Sequence, residues 1–432
     1  MINRRNFIKS TSALAAGMTL PMFVRASVGK VSANDTINVA LIGCRRGWSV
    51  LLKFLTHKNV RCLALCDVKQ DLREKLAANL TSKYGIKPDL YNDYRQILDR
   101  KDIDIVIIAT PDHWHCLQFH DSILAGKDVY IEKPIANSFA ECDAMVDVVN
   151  KNKDVVVQVG QQQRSDKLWI EAIDYVRSGK LGRIGRFHAW ANFNYGAMGP
   201  PIADSPVPAG LDYDIWLGPA RAMPFNERRV FGWRMFWDYG GGLMTDWGVH
   251  LLDMGLWGMG VNTLPEKTLT AGGKFLRPEG AHETYDTMSV TYQFNDFLMS
   301  WENNGGVETG PYGKRYGVLF RGTNGTLVAD RLSWTIYPEG EKIPAIEVKS
   351  DNQDLQNHVD NFLECVKTRN RNTACTIENG SLCAKYAHLG NIGARIGGAA
   401  LIYDEQTKKF NASEANKYLK PDYRSPWAFP ES

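Results

Sequence analysis

The chain has 432 residues, of which 44% are hydrophobic and 23% are charged, so it is long enough for two globular domains and lacks the composition of a disordered protein. Its formal net charge is +3. Residues 1–26 contain four basic and no acidic side chains, which leaves one net negative charge on the remainder and gives no indication of a nucleic-acid partner.

The first 26 residues have the pattern of a twin-arginine export signal. The pair Arg4-Arg5 precedes an apolar run over residues 12–24, and a small-residue cleavage site follows at the end of that run. The run is interrupted by Gly17 and Pro21 and is too short to span a membrane. A chance arginine pair before a short core helix is the alternative interpretation. We predict a signal peptide over residues 1–26, recognition by the twin-arginine export machinery and a periplasmic location.

Short apolar runs alternate with helical patterns between residues 36 and 160. The runs lie at Ile37–Ile42, Val60–Cys66, Asp104–Ala109, Asp128–Ile131 and Val155–Val159, and the helical patterns lie near residues 69–83, 114–125 and 138–151. Continuous apolar runs are typical of strands buried on both faces of a parallel sheet. The alternation predicts an α/β domain over residues 36–160, with the doubly wound parallel sheet of a Rossmann fold.

The pattern changes after residue 160. A helix is predicted at Lys167–Ser178 and a strand near residues 185–194, and the Gly- and Pro-rich stretch at 196–211 has the composition of a long functional loop. Strand-like runs separated by turns fill residues 268–350, and helices are predicted near 353–367 and 378–396. We predict a second α/β domain over residues 161–432 with a large open, mainly antiparallel or mixed sheet, and a C-terminal tail that wraps the surface.

Eight cysteines occur without the C-x-x-C spacing of a zinc or redox site. Cys44, Cys62 and Cys66 lie in or beside apolar strand-like runs, where buried free thiols are expected, although an exported protein could form disulfides. We predict no metal.

The first predicted strand runs into a glycine-containing turn at residues 43–48. A strand, a glycine turn and a helix N-terminus form a pyrophosphate cradle, because free amides and the helix dipole attract anions. The G-x-G-x-x-G pattern is incomplete, since Arg45 stands where the second glycine is expected and Trp48 where the third is expected. Two interpretations remain open. Arg45 and Arg46 contact the phosphates, or cofactor binding is altered or lost.

Two further groups of polar residues follow buried strands. Asp67 ends the second strand, where an acid can accept hydrogen bonds from the ribose hydroxyls of NAD and would repel the 2′-phosphate of NADP. We therefore predict a preference for NAD, and a helix cap is the alternative role of Asp67. Residues 110–115 follow the third buried strand at the carboxyl edge of the sheet, where ligands bind in such folds.

The stretch Trp237–His250 joins a glycine-rich turn to Asp246 and His250. On a helix, two side chains four residues apart share one face. With Lys133 they form a set that can take a proton from a sugar hydroxyl, in which His250 is the better base and Asp246 orients it or binds a second hydroxyl. The alternatives are a solvated lysine at a strand end, two helix-face residues at a domain interface, or a metal pair that lacks further ligands.

Five motifs occur in one order along the chain. They are Ile108-Ala-Thr-Pro111, Glu132-Lys133-Pro134, Gly160-Gln-Gln-Gln-Arg164, Trp216-Leu-Gly-Pro219 and Gly240-Gly-Gly-x-x-x-Asp246-x-Gly-x-His250. As an ordered set over about residues 36–400 they resemble the Gfo/Idh/MocA oxidoreductase family, which includes glucose–fructose oxidoreductase and inositol dehydrogenases. The resemblance implies an N-terminal Rossmann domain, a C-terminal α/β domain whose open sheet mediates oligomerisation, and a homo-oligomer, dimer or tetramer. The incomplete glycine loop is the clearest departure.

The resemblance also implies roles for individual residues. Lys133 would hydrogen-bond the reacting hydroxyl, with Asp246 and His250 completing the catalytic set, and the peptide before Pro134 is cis in some relatives. The predicted cofactor contacts are Gly43, Cys44, Arg45, Arg46, Gly47, Asp67, Thr110, Pro111, His115, Glu132 and Lys133. The predicted substrate contacts are Arg164, Asn192, Asn194, Arg234, Trp237 and Trp247, several of which could equally be packing or interior polar residues.

The sequence thus predicts an exported NAD-dependent oxidoreductase acting on a small sugar, glycoside or cyclitol. Because free NAD is scarce outside the cytoplasm, we expect the cofactor to be loaded before export and to be tightly bound. Two alternatives stay open. One is redox-neutral glycoside cleavage through a transient keto-sugar and elimination, and the other is a cofactor-free sugar-binding protein, which the altered glycine loop favours.

Overall fold

The computed structural model describes residues 36–194, 199–350 and 354–430 of the chain. The predicted signal peptide, residues 1–26, lies outside the described residues. Within those three ranges, the helices are all too short or too polar to cross a membrane.

The N-terminal part alternates strands and helices along the chain, as the sequence predicts. The strands are β1 (Ile37–Ile42), β2 (Val60–Cys66), β3 (Asp89–Tyr91), β4 (Ile105–Ile108), β5 (Asp128–Ile131) and β6 (Val157–Val159), and the helices are α1 (Gly47–Phe54), α2 (Gln70–Tyr84), α3 (Arg95–Leu98), α4 (Asp112–Leu124) and α5 (Phe139–Lys151). The strands form one parallel sheet in the order β3-β2-β1-β4-β5-β6. Every residue of β4 and β5 is buried, which explains their uninterrupted apolar sequences. The predicted doubly wound Rossmann sheet is confirmed.

The C-terminal part is built on an eight-stranded sheet. Its strands are β7 (Ile184–Ala191), β8 (Lys267–Gly273), β9 (Thr287–Gln293), β10 (Leu298–Asn304), β11 (Tyr316–Gly322), β12 (Gly325–Ala329), β13 (Ser333–Pro338) and β14 (Ile346–Lys349), and a separate hairpin pairs β15 (Tyr403–Asp404) with β16 (Lys409–Phe410). The helices are α6 (Lys167–Arg177), α7 (Tyr213–Leu217), α8 (Glu227–Phe231), α9 (Val249–Met259), α10 (Asp354–Thr368) and α11 (Ile377–Arg395). The sheet order is β14-β13-β12-β11-β7-β10-β9-β8, in which only β7 and β10 pair in parallel. The predicted mixed sheet is confirmed.

One face of this second sheet packs against helices. In β9, Met288, Val290 and Tyr292 are buried and alternate with more exposed residues, which is the period of a half-buried strand. Helix α9 packs so closely that a Cβ on Gly258 would lie 2.7 Å from the Phe320 ring of β11. This packing fixes α9, and with it the stretch that precedes it, relative to the second sheet.

The last part of the chain returns to the first sheet. Phe362 of α10 lies in the same core cluster as α1, with its ring centroid 6.1 Å from that of Phe54. In the tail, the Trp427 ring packs edge-on against Trp114 of α4 at 4.8 Å. The tail thus packs along the N-terminal part, and the domain boundary predicted at residue 160 falls between β6 and α6.

The eight cysteines are all buried and none forms a disulfide. This agrees with the buried free thiols predicted for Cys44, Cys62 and Cys66.

Candidate active site

The glycine loop lies directly against the ends of β1 and β4. Gly43 has a φ of +91°, and a Cβ at this position would lie 2.5 Å from the carbonyl oxygen of Ala109, so only glycine fits. A Cβ on Gly47 would lie 2.5 Å from the Leu41 side chain. Helix α1 begins at Gly47 with its free amides directed towards the carboxyl edge of the sheet. The strand, glycine turn and helix N-terminus that the sequence predicts are therefore present despite the missing glycine.

A cavity of about 780 Å³ lies along this edge. Its walls combine the ends of the parallel strands with a segment from the C-terminal part. The predicted residues that line it are Gly43, Arg45, Arg46, Asp67, Thr110, Pro111, Glu132, Lys133 and Arg234, and the opposite wall contains Ser205, Pro208, Ala209, Leu211, Phe225 and Phe231. A volume of this size is typical of a cofactor or ligand cleft.

Asp67 joins the end of β2 to the glycine loop. One carboxylate oxygen accepts the Cys44 amide at 2.8 Å and the other accepts the Lys69 amide at 2.9 Å. Burial raises the pKa of Asp67, and these two amide bonds oppose that shift. Each oxygen keeps a second lone pair for a ribose hydroxyl, so the structural and the binding role of this acid are compatible.

The two arginines of the glycine loop point along the cleft. The Arg45 guanidinium lies over the Phe231 ring, 5.4 Å from its centroid, and Lys69 lies over the same ring at 6.0 Å. Arg46 donates to the Ser49 hydroxyl at 3.1 Å and its Nε lies 3.9 Å from a Glu132 oxygen. Positively charged side chains thus lie at and beside the loop position where the G-x-G-x-x-G pattern has its second glycine.

The structure brings Lys133 and Asp246 together across 113 residues of sequence. The Lys133 ammonium lies 2.7 Å from Asp246 Oδ1 and 2.7 Å from the Asp246 carbonyl oxygen. Arg234 Nε donates to the same carboxylate oxygen at 3.2 Å. The side chains of Lys133 and Asp246 are only 10% and 13% exposed. The peptide between Lys133 and Pro134 is cis.

Asp246 lies in a π-helical turn, Met244–Gly248, that continues into α9. Such single wide turns are frequent at functional sites. The preceding Gly242 has a φ of +69° and lies so close to Thr284 that a Cβ would clash, which explains the glycine-rich sequence before the turn. The predicted regular helix is thus replaced by a π turn at Asp246, and His250 lies in the first turn of α9.

His250 is 6% exposed, and its Nδ1 has no hydrogen-bond partner among the described residues. Burial lowers the pKa of His250 well below its ordinary value, and the positive charges of Lys133 and Arg331 lower it further. The imidazole is therefore neutral near pH 7 and able to accept a proton.

Four predicted contact residues lie in the interior instead of at the cleft. The Cys44 side chain is fully buried, and the His115 ring is enclosed between the carbonyl oxygens of Thr110 and Pro134. Arg164 forms a buried ion pair with Asp253 at 2.6 Å, and Asn192, just after β7, donates to the Thr309 carbonyl oxygen and accepts from the Asn304 amide at the end of β10. Each of these side chains has polar partners inside the fold that the sequence does not indicate.

The other predicted substrate residues stay closer to the surface. Asn194 is exposed beyond β7, and Trp237 is partly buried with the Arg395 guanidinium 4.6 Å from its ring. Trp247 stacks on Phe193 at 4.4 Å, and its ring centroid lies 6.0 Å from that of His250.

Sequence reasoning missed two side chains of the site. Phe231 closes the cleft opposite the glycine loop, and Arg331 lies beside His250. Phe231 belongs to a five-residue helix and Arg331 to the turn between β12 and β13, and neither segment carries a recognisable motif.

Family models match both parts of the chain. The Gfo/Idh/MocA model for an oxidoreductase family with an NAD-binding Rossmann fold matches residues 37–161, and the model for the C-terminal alpha/beta domain of that oxidoreductase family matches residues 185–296. The two matches span more than half of the chain.

Among curated relatives, the glycosyl hydrolase family 109 protein 1 of Shewanella sp. (strain MR-4) is 28% identical over 205 residues, which are 42% of this chain and 44% of that protein. An alpha-N-acetylgalactosaminidase of Shewanella oneidensis matches with the same identity and coverage. The chain thus spans less than half the length of these curated relatives.

Among solved structures, the aldose-aldose oxidoreductase of Caulobacter crescentus, complexed with glycerol, superposes with a TM-score of 0.65 at 20% identity, covering 85% of this chain and 99% of that one. Levoglucosan dehydrogenase in complex with NADH and levoglucosan superposes with a TM-score of 0.63 at 18% identity, covering 84% and 98%. At these identities the likeness shows a shared fold.

Proposed function

Because the chain belongs to the Gfo/Idh/MocA oxidoreductase family, we propose that it transfers a hydride between a ring carbon of a sugar, glycoside or cyclitol and a bound nicotinamide cofactor. The observation that carries this proposal is the meeting of Lys133, Asp246 and a neutral His250 beside a cleft of dinucleotide type. A pure binding protein has no need of such a proton-transfer set.

The cleft residues fit a dinucleotide. Gly43 lets the ends of β1 and β4 approach closely at the cavity wall, and α1 presents free amides for a pyrophosphate. Arg45 and Arg46 supply positive charge at the loop that lacks its second glycine. Asp67 lies where the adenosine ribose binds in Rossmann folds, which supports a preference for NAD over NADP.

Within the site each side chain has a distinct task. The nicotinamide, when bound, accepts the carbon-bound hydride or returns it. Lys133 donates a hydrogen bond to the reacting oxygen, and Asp246 holds the ammonium in place. His250 takes the hydroxyl proton when the carbon is oxidised and gives it back on reduction, so protons and electrons balance.

The names of the matched Shewanella relatives favour a second candidate, redox-neutral glycoside cleavage. Oxidation of a ring hydroxyl to a ketone acidifies the neighbouring C–H, loss of that proton expels the glycosidic substituent, and water and the returned hydride complete a net hydrolysis. This reaction uses the same site, and it regenerates the cofactor in every turnover. It would suit a tightly held cofactor in an exported protein.

We propose further that the protein is exported by the twin-arginine route with its cofactor already bound, and that it forms a homo-oligomer. The cleft supports tight binding, because residues 205–212 pass over it and bond to the β2–α2 connection. The backbone N–H of Gln70 donates to the Gly210 carbonyl oxygen at 2.8 Å. The backbone N–H of Asp212 donates to the Val68 carbonyl oxygen at 3.0 Å.

The first experiment measures the cofactor content of the purified, untreated protein after denaturation. Near-stoichiometric NAD is expected, followed by its reduction when the holoprotein is given the right sugar or cyclitol. A keto-sugar product would identify net dehydrogenation, and a free reducing sugar without a keto product would identify cleavage. Protein that is empty and fails to bind added NAD would overturn both candidates and favour a sugar-binding role.

The preference for NAD is tested with Asp67→Ala, and Asp89→Ala, an exposed carboxylate that pairs with Arg100 outside the cavity lining, is the matched control. We expect Asp67→Ala to weaken NAD binding and to reduce the difference in affinity between NAD and NADP, and Asp89→Ala to change neither. An unchanged Asp67→Ala protein would mean that this carboxylate is only a structural cap.

A further inference from the structure

Three aromatic rings form a continuous surface next to His250. Phe193 stacks on Trp247 at 4.4 Å and on Tyr316 at 5.8 Å, and Trp247 lies 4.6 Å from Tyr316. We call these three residues the aromatic floor. Trp247 and Tyr316 are partly exposed to solvent, and the Trp247 ring centroid lies 6.0 Å from that of His250.

Arg331 lies on this floor in a fixed position. Its guanidinium is 5.1 Å from the centroid of the Trp247 ring, and its Nε and Nη2 donate to Gln163 Oε1 at 3.2 and 3.1 Å. The Gln163 amide in turn donates to the carbonyl oxygen of His250 at 3.3 Å. Two independent contacts therefore hold the charge of Arg331 beside the proposed base.

The charge of Arg331 is not neutralised within the protein. In the three ranges that the structure describes, no carboxylate lies within ion-pair distance of its guanidinium, whereas Lys133 and Arg234 share Asp246. Arg315, which lies over Phe193 on the same floor, is paired with Glu308 at 2.5 Å. A partly buried cation without a counter-charge is unfavourable unless an anion completes the site.

The guanidinium also keeps donors available. Gln163 occupies the Nε and Nη2 side, and no hydrogen bond of Nη1 occurs among the described residues. The second edge of the planar group, Nη1 with Nη2, has the fork geometry that binds a carboxylate or a sulfate by two parallel hydrogen bonds.

We propose that the sugar substrate carries an anionic substituent, a carboxylate or a sulfate, which Arg331 binds across the aromatic floor while the reacting hydroxyl lies at Lys133 and His250. This inference rests on the proposed function and assigns its substrate class. The aromatic floor contributes the apolar surface for the sugar ring, and Arg331 decides between charged and neutral sugars.

The test is isothermal titration calorimetry of the holoprotein with methyl glucuronide, glucose 6-sulfate and the neutral methyl glucoside. We expect at least one anionic probe to bind roughly tenfold or more tightly than the glucoside, as hydrogen bonds to a charged group allow. Arg331→Gln should remove that preference by weakening the binding of the anionic probes more than that of the glucoside. The control is Arg95→Gln, which removes a guanidinium that also lies over a tryptophan, 4.9 Å from the Trp427 ring, but away from the cleft.

Equal binding of charged and neutral probes by the unaltered protein would overturn the proposal. So would an Arg331→Gln protein that loses affinity for all three probes alike, because Arg331 would then only position Gln163. The two anionic probes tell a carboxylate site from a sulfate site. If the charge preference depends on Arg331 but none of the sugars reduces the bound nicotinamide, the substrate-class inference stands and hydride transfer from these sugars fails.

Discussion

At the scale of single residues, the site depends on one carboxylate that serves two cations. Lys133 and Arg234 both donate to Asp246 Oδ1, so the carboxylate limits where the ammonium can move. The sequence motifs identified Lys133, Asp246 and His250 and predicted that they act together. They gave no sign of the shared geometry, because 113 residues separate Lys133 from Asp246 and only the packing of α9 brings them together.

Replacing Lys133 by methionine keeps most of the side-chain volume and removes the charge. We expect the Lys133→Met protein to retain its bound NAD and to lose at least about a hundredfold in kcat/KM, which is the range for losing a positioned proton-transfer or hydrogen-bonding group. Cofactor content after denaturation and sugar-dependent reduction of the nicotinamide measure the two quantities separately. Unchanged turnover would remove Lys133 from the catalytic set.

The pH profile tests His250. Because the pKa of His250 lies well below its ordinary value of about 6.5, the imidazole stays neutral as the pH falls through 6.5. Activity should therefore hold through that pH and decline only below it, as His250 becomes protonated. A kcat/KM profile of the holoprotein is the measurement, with His250→Asn for comparison, which should be slow and lack this acid limb. An acid limb centred at 6.5 or above would contradict the assignment.

At the scale of helices and strands, the sequence predicted the elements that are long enough to show a hydrophobic period or a continuous apolar run. The observed β1, β2 and β5 have the bounds that their apolar runs predicted, and α2, α5, α6 and α10 lie within two residues of prediction. The short β3, α3, α7 and α8 were not predicted, since three to five residues carry no measurable periodicity. Their placement follows from tertiary contacts.

In the candidate site, too, residues in motifs at strand ends were predicted better than residues outside such motifs. Residues in motifs that end buried strands, such as Asp67 and Lys133, reach the cleft as predicted, because the carboxyl ends of parallel strands share one edge. Arg164 was predicted at the cleft and lies inside, because its partner Asp253 is a residue of α9 that the pattern did not connect to it. Arg331 could not be predicted, because it lies in a turn without a motif.

The requirement for glycine in the turn after β1 can be tested by substitution. Gly43→Ala combines a left-handed φ with a clash against the Ala109 carbonyl oxygen, and we expect it to destabilise the fold by about 3 kcal/mol and to weaken NAD binding. Gly85→Ala is the matched control, since Gly85 has a φ of +65° but open space around its Cβ position, and should cost about 1 kcal/mol. Urea unfolding of both variants compares them. Equal losses would mean that the loop can shift away from β4.

At the scale of the whole molecule, the last part of the chain packs against the N-terminal part. The second sheet follows the first, but α10 and the tail then return to the N-terminal part, so the order of the sequence is not the order of the packing. Trp114 is the contact between tail and cleft, because it lines the cavity on one side and meets Trp427 on the other.

Removal of this contact should loosen the tail. We expect Trp427→Ala to lower the free energy of unfolding by about 2 kcal/mol, since it loses an aromatic pair, the stacked Arg95 and partly buried apolar area. Phe275→Ala is the control, because Phe275 is 69% exposed and should matter little. Denaturant unfolding measures both variants, and faster proteolysis of the tail in Trp427→Ala would support the same conclusion. A neutral Trp427→Ala would mean that the tail adds nothing to stability.

The eight cysteines differ in their exposure to oxidation between the folded and the unfolded chain. In the folded protein they resist oxidation, since each is shielded and burial raises the pKa of Cys62, for example, to about 12, which suppresses the reactive thiolate. In the unfolded chain all eight are accessible and can pair in about 105 complete combinations, none of which occurs in the fold. Refolding should therefore give active protein in reducing buffer and cross-linked products in oxidising buffer. A protein of this kind is safe in an oxidising compartment only after it has folded somewhere else.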